Sequence, residues 1–184
     1  MISKQRKTRD LVGLTFSEFQ SDPTKWMTRA REFRDAALLL VESKSGSLSS
    51  PYYYNAALSL ELSLKAILVA QKRKYQAIHR LKDLSDAAGV QIERDHVKTL
   101  ELLSECLMWL GRYPIPKSEN QWNNFHDVLF PKHKVTVHKG KIRRVIRNEK
   151  TFPTLKNYLA IWNLFEAEYS SLNQLGNSYK MLSS

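Results

Sequence analysis

The stretch from Pro51 to Arg73 constrains this chain more than any other. Ala57, Leu60, Leu64, Ile67 and Leu68 recur at helical spacing, and Leu58, Leu62 and Val69 carry the apolar surface around much of the circumference. A helix of that kind needs other helices against several of its sides. The expected fold is therefore all-α, an up-and-down bundle of four or five main helices with this one at its centre. A chain of 184 residues supplies a sizeable core for one domain. Residues 1–20 read as a basic, irregular arm and 21–184 as the domain itself.

The other helices follow from start and stop signals. Ser21-Asp22-Pro23 opens a helix whose apolar face is Trp26, Ala30, Phe33, Ala37, Leu40 and Val41, ending near Ser43. A Ser-rich loop over 44–50 leads into the central helix. A third, short helix runs from His79 to Ala88 and stops at Gly89, and a fourth covers about 95–110 and stops at Gly111. Arg112-Tyr-Pro-Ile-Pro-Lys117 is extended and held by its prolines. Residues 119–130 make a short helix with Trp122, Phe125 and Leu129. The last helix, about 154–182, carries Leu155, Tyr158, Leu159, Trp162, Phe165, Tyr169, Leu172 and Tyr179. Its length and the wide apolar faces predict a homodimer.

Residues 133–147 change period. Val135 and Val137 alternate with polar residues, Lys139-Gly140 turns, and Ile142 starts a return run, so a small β-hairpin is expected before the C-terminal helix. Pairing 138 with 141 puts Val135, Val137, Ile142 and Ile146 on a face that lies on the body. Lys134, Thr136, His138, Lys141 and Arg143 fall on the face that looks out.

Charge gives the first functional clue. The net charge is +11, and residues 132–150 hold eight basic side chains against the single acid Glu149. Residues 72–82 add five basic side chains and the first nine residues four, whereas 154–184 is neutral. Clustering of this order favours RNA or another polyanion as partner, with Lys134, His138, Lys139, Lys141, Arg143 and Arg147 as the contacting residues. The alternative is solvated charge that serves solubility.

The chain has one cysteine, Cys106, set among leucines, so it forms no internal disulfide and reads as core. No apolar run reaches transmembrane length, and no apolar segment follows the basic N-terminus, so a cytoplasmic protein that does not enter membranes is expected. His126, His133 and His138 have mixed spacing on a lysine-rich segment, which is unfavourable for a cation. No metal or cofactor is expected.

The run Tyr54-Asn-Ala-Ala-Leu-Ser-Leu-Glu-Leu-Ser-Leu-Lys-Ala-Ile-Leu68, followed by His79-Arg-Leu-Lys-Asp-Leu84, resembles the HEPN family (higher eukaryotes and prokaryotes nucleotide-binding domain). That family is marked by Glu-x-x-x-Lys in an apolar second helix and a His near Leu-x-x-Leu at the third. The resemblance covers about residues 22–112. It implies a helical bundle, often dimeric, that works on RNA or nucleotides, frequently in defence or toxin–antitoxin systems with a cognate antitoxin or nucleotidyltransferase. Active members resemble metal-independent ribonucleases built on Arg-x(4–6)-His. Arg73 and His79 have that spacing but lie at the end of the second helix, whereas the family's pair sits in the C-terminal half of the bundle. Arg112 has the better place but no His at the right distance after it.

Each candidate carries a structural alternative. Glu61 and Lys65, one turn apart, line a polar groove together with Arg112 and Tyr113, or form a structural ion pair. His79 is a general base, or a first-turn cap. Arg112 meets phosphate, or bonds the carbonyls that end the fourth helix. Tyr52-Tyr53-Tyr54 and Trp122 stack on bases or belong to the core, Tyr52 being the freest. Three functions compete: an RNA- or nucleotide-binding module, a metal-independent endoribonuclease, and a scaffold for an acidic partner.

Overall fold

The computed structural model describes residues 4–12, 14–43, 49–74, 77–140 and 142–182, with the side chains of 139 and 175–182 excepted. Lys141, the side chains of Lys139 and Tyr179, and most of the loop expected over 44–50 lie outside that description. The described residues form eight α-helices and one two-stranded hairpin.

The N-terminal arm differs from expectation. It contains α1 (Lys4–Leu11) and α2 (Phe16–Ser21). Thr15 accepts from the Glu18 amide, while the Glu18 carboxylate receives the Thr15 amide, which makes a capping box at the start of α2. That Thr-x-x-Glu signal is present in the sequence. The irregular reading arose because α1 buries no residue and so has no apolar stripe to betray it.

Helix α3 (Pro23–Glu42) starts on Asp22, whose side chain accepts from the Thr24 amide. It buries only Met27, Ala30 and Ala37 against the central helix, and the two alanines let the backbones come close. Trp26, Phe33 and Leu40 are half-buried at the margins, and Val41 is exposed. The central helix is α4 (Ser49–Ala70), with thirteen buried residues. It packs against α3, α5 (Leu81–Ala88), α6 (Arg94–Glu105) and α8 (Leu155–Leu182). Leu60, Leu64 and Ile67 meet Leu81 and Leu84 of α5, Leu100 and Leu103 of α6, and Tyr158, Ile161, Trp162 and Phe165 of α8 in one core. Tyr158 donates to Ser59 Oγ at 2.8 Å inside it, since the single Ser59 proton goes to the Ala56 carbonyl. Helix α8 is tied to α3 through Glu166, which receives Arg31 Nε at 2.9 Å and Trp162 Nε1 at 3.0 Å.

Helices α4 and α5 end in the same way. At each, the C″ and C′ amides reach back to two carbonyls of the last turn: Arg73 to Leu68 and Lys72 to Val69, then Val90 to Ser85 and Gly89 to Asp86. The left-handed C′ residue is Gly89 at φ 74° in α5 but Lys72 at φ 56° in α4.

Helix α6 widens into a π-helical turn over Cys106–Leu110 before Gly111. Helix α7 (Glu119–Asn123) passes likewise into a π-helical turn over Asn124–Leu129. These segments enclose a second, smaller core of Leu102, Trp109, Phe125, Leu129 and Phe152.

The hairpin is β1 (Lys134–Lys139) and β2 (Ile142–Arg147), antiparallel. His138 pairs with Arg143 and Lys139 with Ile142, so the turn lies one residue later than expected. Gly140, at φ 60°, takes the first turn position, which favours glycine. The faces are unchanged by that shift, but their placement is not as expected. Val135, Val137, Ile142 and Ile146 do not lie on the body; all are exposed, at 37% or more. Beyond its root, where Lys134 and Arg147 stack on Phe130 and Phe152, the described hairpin side chains are exposed on both faces.

Candidate functional site

The marker pair on α4 is buried: Glu61 is 3% exposed and Lys65 7%. Lys65 Nζ donates to Glu61 Oε1 at 2.5 Å, one helical turn away. The same carboxylate meets His79 Nδ1 at 3.1 and 3.2 Å. His79 is not in the first turn of α5 as expected. It precedes Arg80, the N-cap residue, and the helix starts at Leu81, whose amide donates to Ser104 Oγ. The strap before α5 thus lays the imidazole on α4. With Nδ1–H donating to Glu61, Nε2 is the proton-accepting nitrogen. It makes no hydrogen bond among the described residues.

His79 forms one wall of a cleft of about 800 Å³. The same cleft is lined by Arg112, Tyr113 and Lys117 of the proline-held segment, with Met108 and Trp109 of the first π-helical turn and Gln121 of α7. That size suits a nucleotide-sized ligand. Arg112 is positioned by its neighbour. A Cβ at Gly111 would come within 2.7 Å of both Tyr54 Cβ and the Cys106 carbonyl, so only glycine lets the chain pass α4 so closely here. That approach sets the guanidinium 5.8 Å from the centre of the Tyr54 ring and 5.4 Å from that of Tyr113. Arg112 Nη2 donates to the Met108 carbonyl at 3.1 Å, so the helix-ending role is real. It occupies one of five donors.

Arg73 is elsewhere. It lines a separate basic hollow with Gln20, Ser21, Lys72 and Lys74, so the Arg73–His79 spacing does not build one site. Glu61 and Lys65 do not line the cleft either; they lie behind His79 and hold it. Tyr52 is not free: it is 6% exposed, edge-on to Tyr158 at 6.3 Å, and burial pushes its phenol well above the usual range. Tyr54, beneath Arg112, is the aromatic residue of that cluster at the site. Trp122 is partly exposed and packs on Trp109 and His126. Cys106 is core, and burial raises its thiol to about 12.

On the hairpin, Lys134 and Arg147 face each other, as do His138 and Arg143, all on one side. The root is clamped. The Asn148 amide donates to the His133 carbonyl at 2.9 Å, Thr151 Oγ1 to the Lys132 carbonyl at 3.3 Å, and Thr99 Oγ1 to the Thr151 carbonyl at 2.9 Å. His133 is fully buried there, and its Nδ1–H donates to the Thr151 carbonyl at 3.0 Å. Nε2 has no partner among the described residues. Burial lowers the imidazole's pKa from 6.5; the Thr151 carbonyl and Glu101 oppose this, while Lys132 and Lys98 reinforce it. The unfolded chain therefore binds a proton that the folded chain refuses, between the ordinary value and the lowered one. The stability from neutral His133 is complete above pH 6.5 and is lost as pH falls through that window. His133→Asn, which keeps a donor for Thr151, should flatten this part of the slope in urea melts between about pH 7 and 5. An unchanged slope would show that His133 does not contribute it.

Among the described residues no three His, Cys, Asp or Glu side chains come together to hold a metal, and no helix is long and apolar enough to cross a membrane. No curated protein and no solved structure matches the chain. The family model described as HEPN domain matches residues 24–128, more than half of the chain, from the start of α3 into the second π-helical turn. That span contains the bundle's central helix, the Glu61–Lys65–His79 cluster and the cleft, and on it the chain belongs to the HEPN domain family.

Proposed function

We propose that this HEPN domain binds RNA by taking a nucleotide into the cleft between His79 and Arg112. The observation that carries this reading is the convergence on one cleft of an imidazole held by a buried carboxylate and a guanidinium laid against two tyrosine rings. Arg112 offers a phosphate paired N–H donors. Tyr113, which is exposed, and Met108 offer a base aromatic and apolar surface. Titration with a 5′-mononucleotide should change the protein's intrinsic fluorescence in a saturable way in wild type, and much less in Tyr113→Ala. A flat response up to about millimolar ligand would contradict the reading.

Cleavage is the second reading, favoured by the Glu61–His79 pair. His79 Nε2 would take the 2′-OH proton, the 2′-oxygen would attack the adjacent phosphorus, and the P–O5′ bond would break. Water would supply the proton to the leaving 5′-oxygen, the products would be a 2′,3′-cyclic phosphate and a 5′-hydroxyl, and Arg112 would meet the charge on the phosphoryl oxygens. Formation of those ends by wild-type protein but not by His79→Ala separates cleavage from binding alone.

A further inference from the structure

The hairpin is built in a way that its own chain does not explain. Two isolated strands are marginal in water. Like charges placed directly opposite cost further stability. This hairpin nevertheless sets Lys134 against Arg147, and it carries Arg143 on the same face and Arg144 on the other, opposite Val137. Every described side chain from 134 to 138 and from 142 to 147 is exposed. None of Lys134, Arg143, Arg144 or Arg147 meets a carboxylate among the described residues. What keeps the hairpin upright is its root, with the clamp of His133, Asn148 and Thr151 and the stacking of Lys134 and Arg147 on Phe130 and Phe152, at 4.3 and 4.7 Å from the ring centres. A rigid base thus supports a ribbon roughly 20 Å long whose charge is left open.

The ribbon also adjoins the cleft. Arg147 and Phe152 line one small hollow with Tyr53 and Gly111. The next residues along each chain segment, Tyr54 and Arg112, are the stacked pair at the cleft. Arg147, at the root of β2, thus lies beside the residues that immediately precede Arg112 and Tyr54 in the chain.

We infer that the hairpin holds the phosphate backbone of the RNA strand whose nucleotide occupies the cleft, a second point of attachment that reads no sequence. This rests on the nucleotide reading of the cleft. Exposed cations at the root and near the tip of one face, with Arg144 on the other, fit an extended row of phosphates better than one acidic protein surface.

The test is filter binding of a single-stranded RNA of roughly 20 nucleotides at about 50 mM salt, beside a 5′-mononucleotide titration. The protein is wild type or the triple variant Lys139→Glu, Arg143→Glu, Arg144→Glu, which leaves Lys134 and Arg147 of the root in place. Circular dichroism should show the same helix content in both, because the three positions lie on the hairpin, outside the helices. The variant should bind the RNA at least about tenfold more weakly and lose about two units of salt slope, at 0.7 per phosphate contact for three contacts. Its mononucleotide affinity should be unchanged. Equal RNA affinity and equal salt slope in the two proteins would overturn the inference. So would a DNA duplex bound more tightly than the single strand, or polyglutamate bound in preference to RNA. If the variant loses RNA but wild type binds no mononucleotide, the hairpin stands and the cleft reading fails.

Discussion

Replacing Glu61 by alanine should destabilise the protein by about 3–5 kcal/mol, the usual cost of breaking a buried ion pair from one side. Melting would fall by roughly 2–4 °C per kcal/mol for a chain of this size. The cause is the surroundings of Lys65. Its ammonium sits 7% exposed on the central helix, and Glu61 is the carboxylate 2.5 Å away. Removing that carboxylate takes the ammonium's ion-pair partner away inside the core. Removing both charges by Glu61→Leu with Lys65→Met should restore much of the stability, since well-packed apolar side chains often replace a buried pair without loss. The double variant would still lose the hold on His79. It should therefore fold and bind nucleotide poorly. A melt of the single and double variants checks the first part and a nucleotide titration the second. Glu61→Ala melting with the wild type would show that the pair is not the strut described here.

Arg112→Ala should weaken mononucleotide binding by roughly 10- to 150-fold, the range expected for hydrogen bonds to a charged group worth about 1.5–3 kcal/mol. The stability effect should be much smaller. The side chain is exposed, and its internal contacts are one carbonyl and two ring faces. Arg112→Lys should fall between the two proteins, because an ammonium keeps the charge but loses the planar fork and the stacking. Isothermal titration of the three proteins checks the order. Equal affinities would remove Arg112 from the site.

The bundle was legible because α4 is apolar around most of its circumference and because Asp22-Pro23, Gly89 and Gly111 punctuate the chain. The faces of the hairpin were legible from its two-residue period. Its pairing was not, because the turn position depends on where Gly140 can take a positive φ. Nor was its exposure, since alternating Val and Ile at 135, 137, 142 and 146 look the same whether or not something covers them. The cleft was legible only in parts. His79 and Arg112 stood out singly, but what joins them is the passage of Gly111 against Tyr54, a contact between distant residues that no spacing encodes. Arg73 has the spacing to His79 but the wrong place, at the end of the central helix, and the left-handed turn at Lys72 and the strap before α5 take the two side chains to different hollows.

The most direct test of the cleft is to follow the ring signals of the chain's five histidines by NMR as a 5′-mononucleotide is added. The imidazole of His79 should shift and saturate, while His96 on α6 and His133, sealed at the hairpin root, should stay in place. A titration that leaves His79 unmoved while the ligand binds, or one in which only His138 on the ribbon responds, would contradict a nucleotide site at His79 and Arg112.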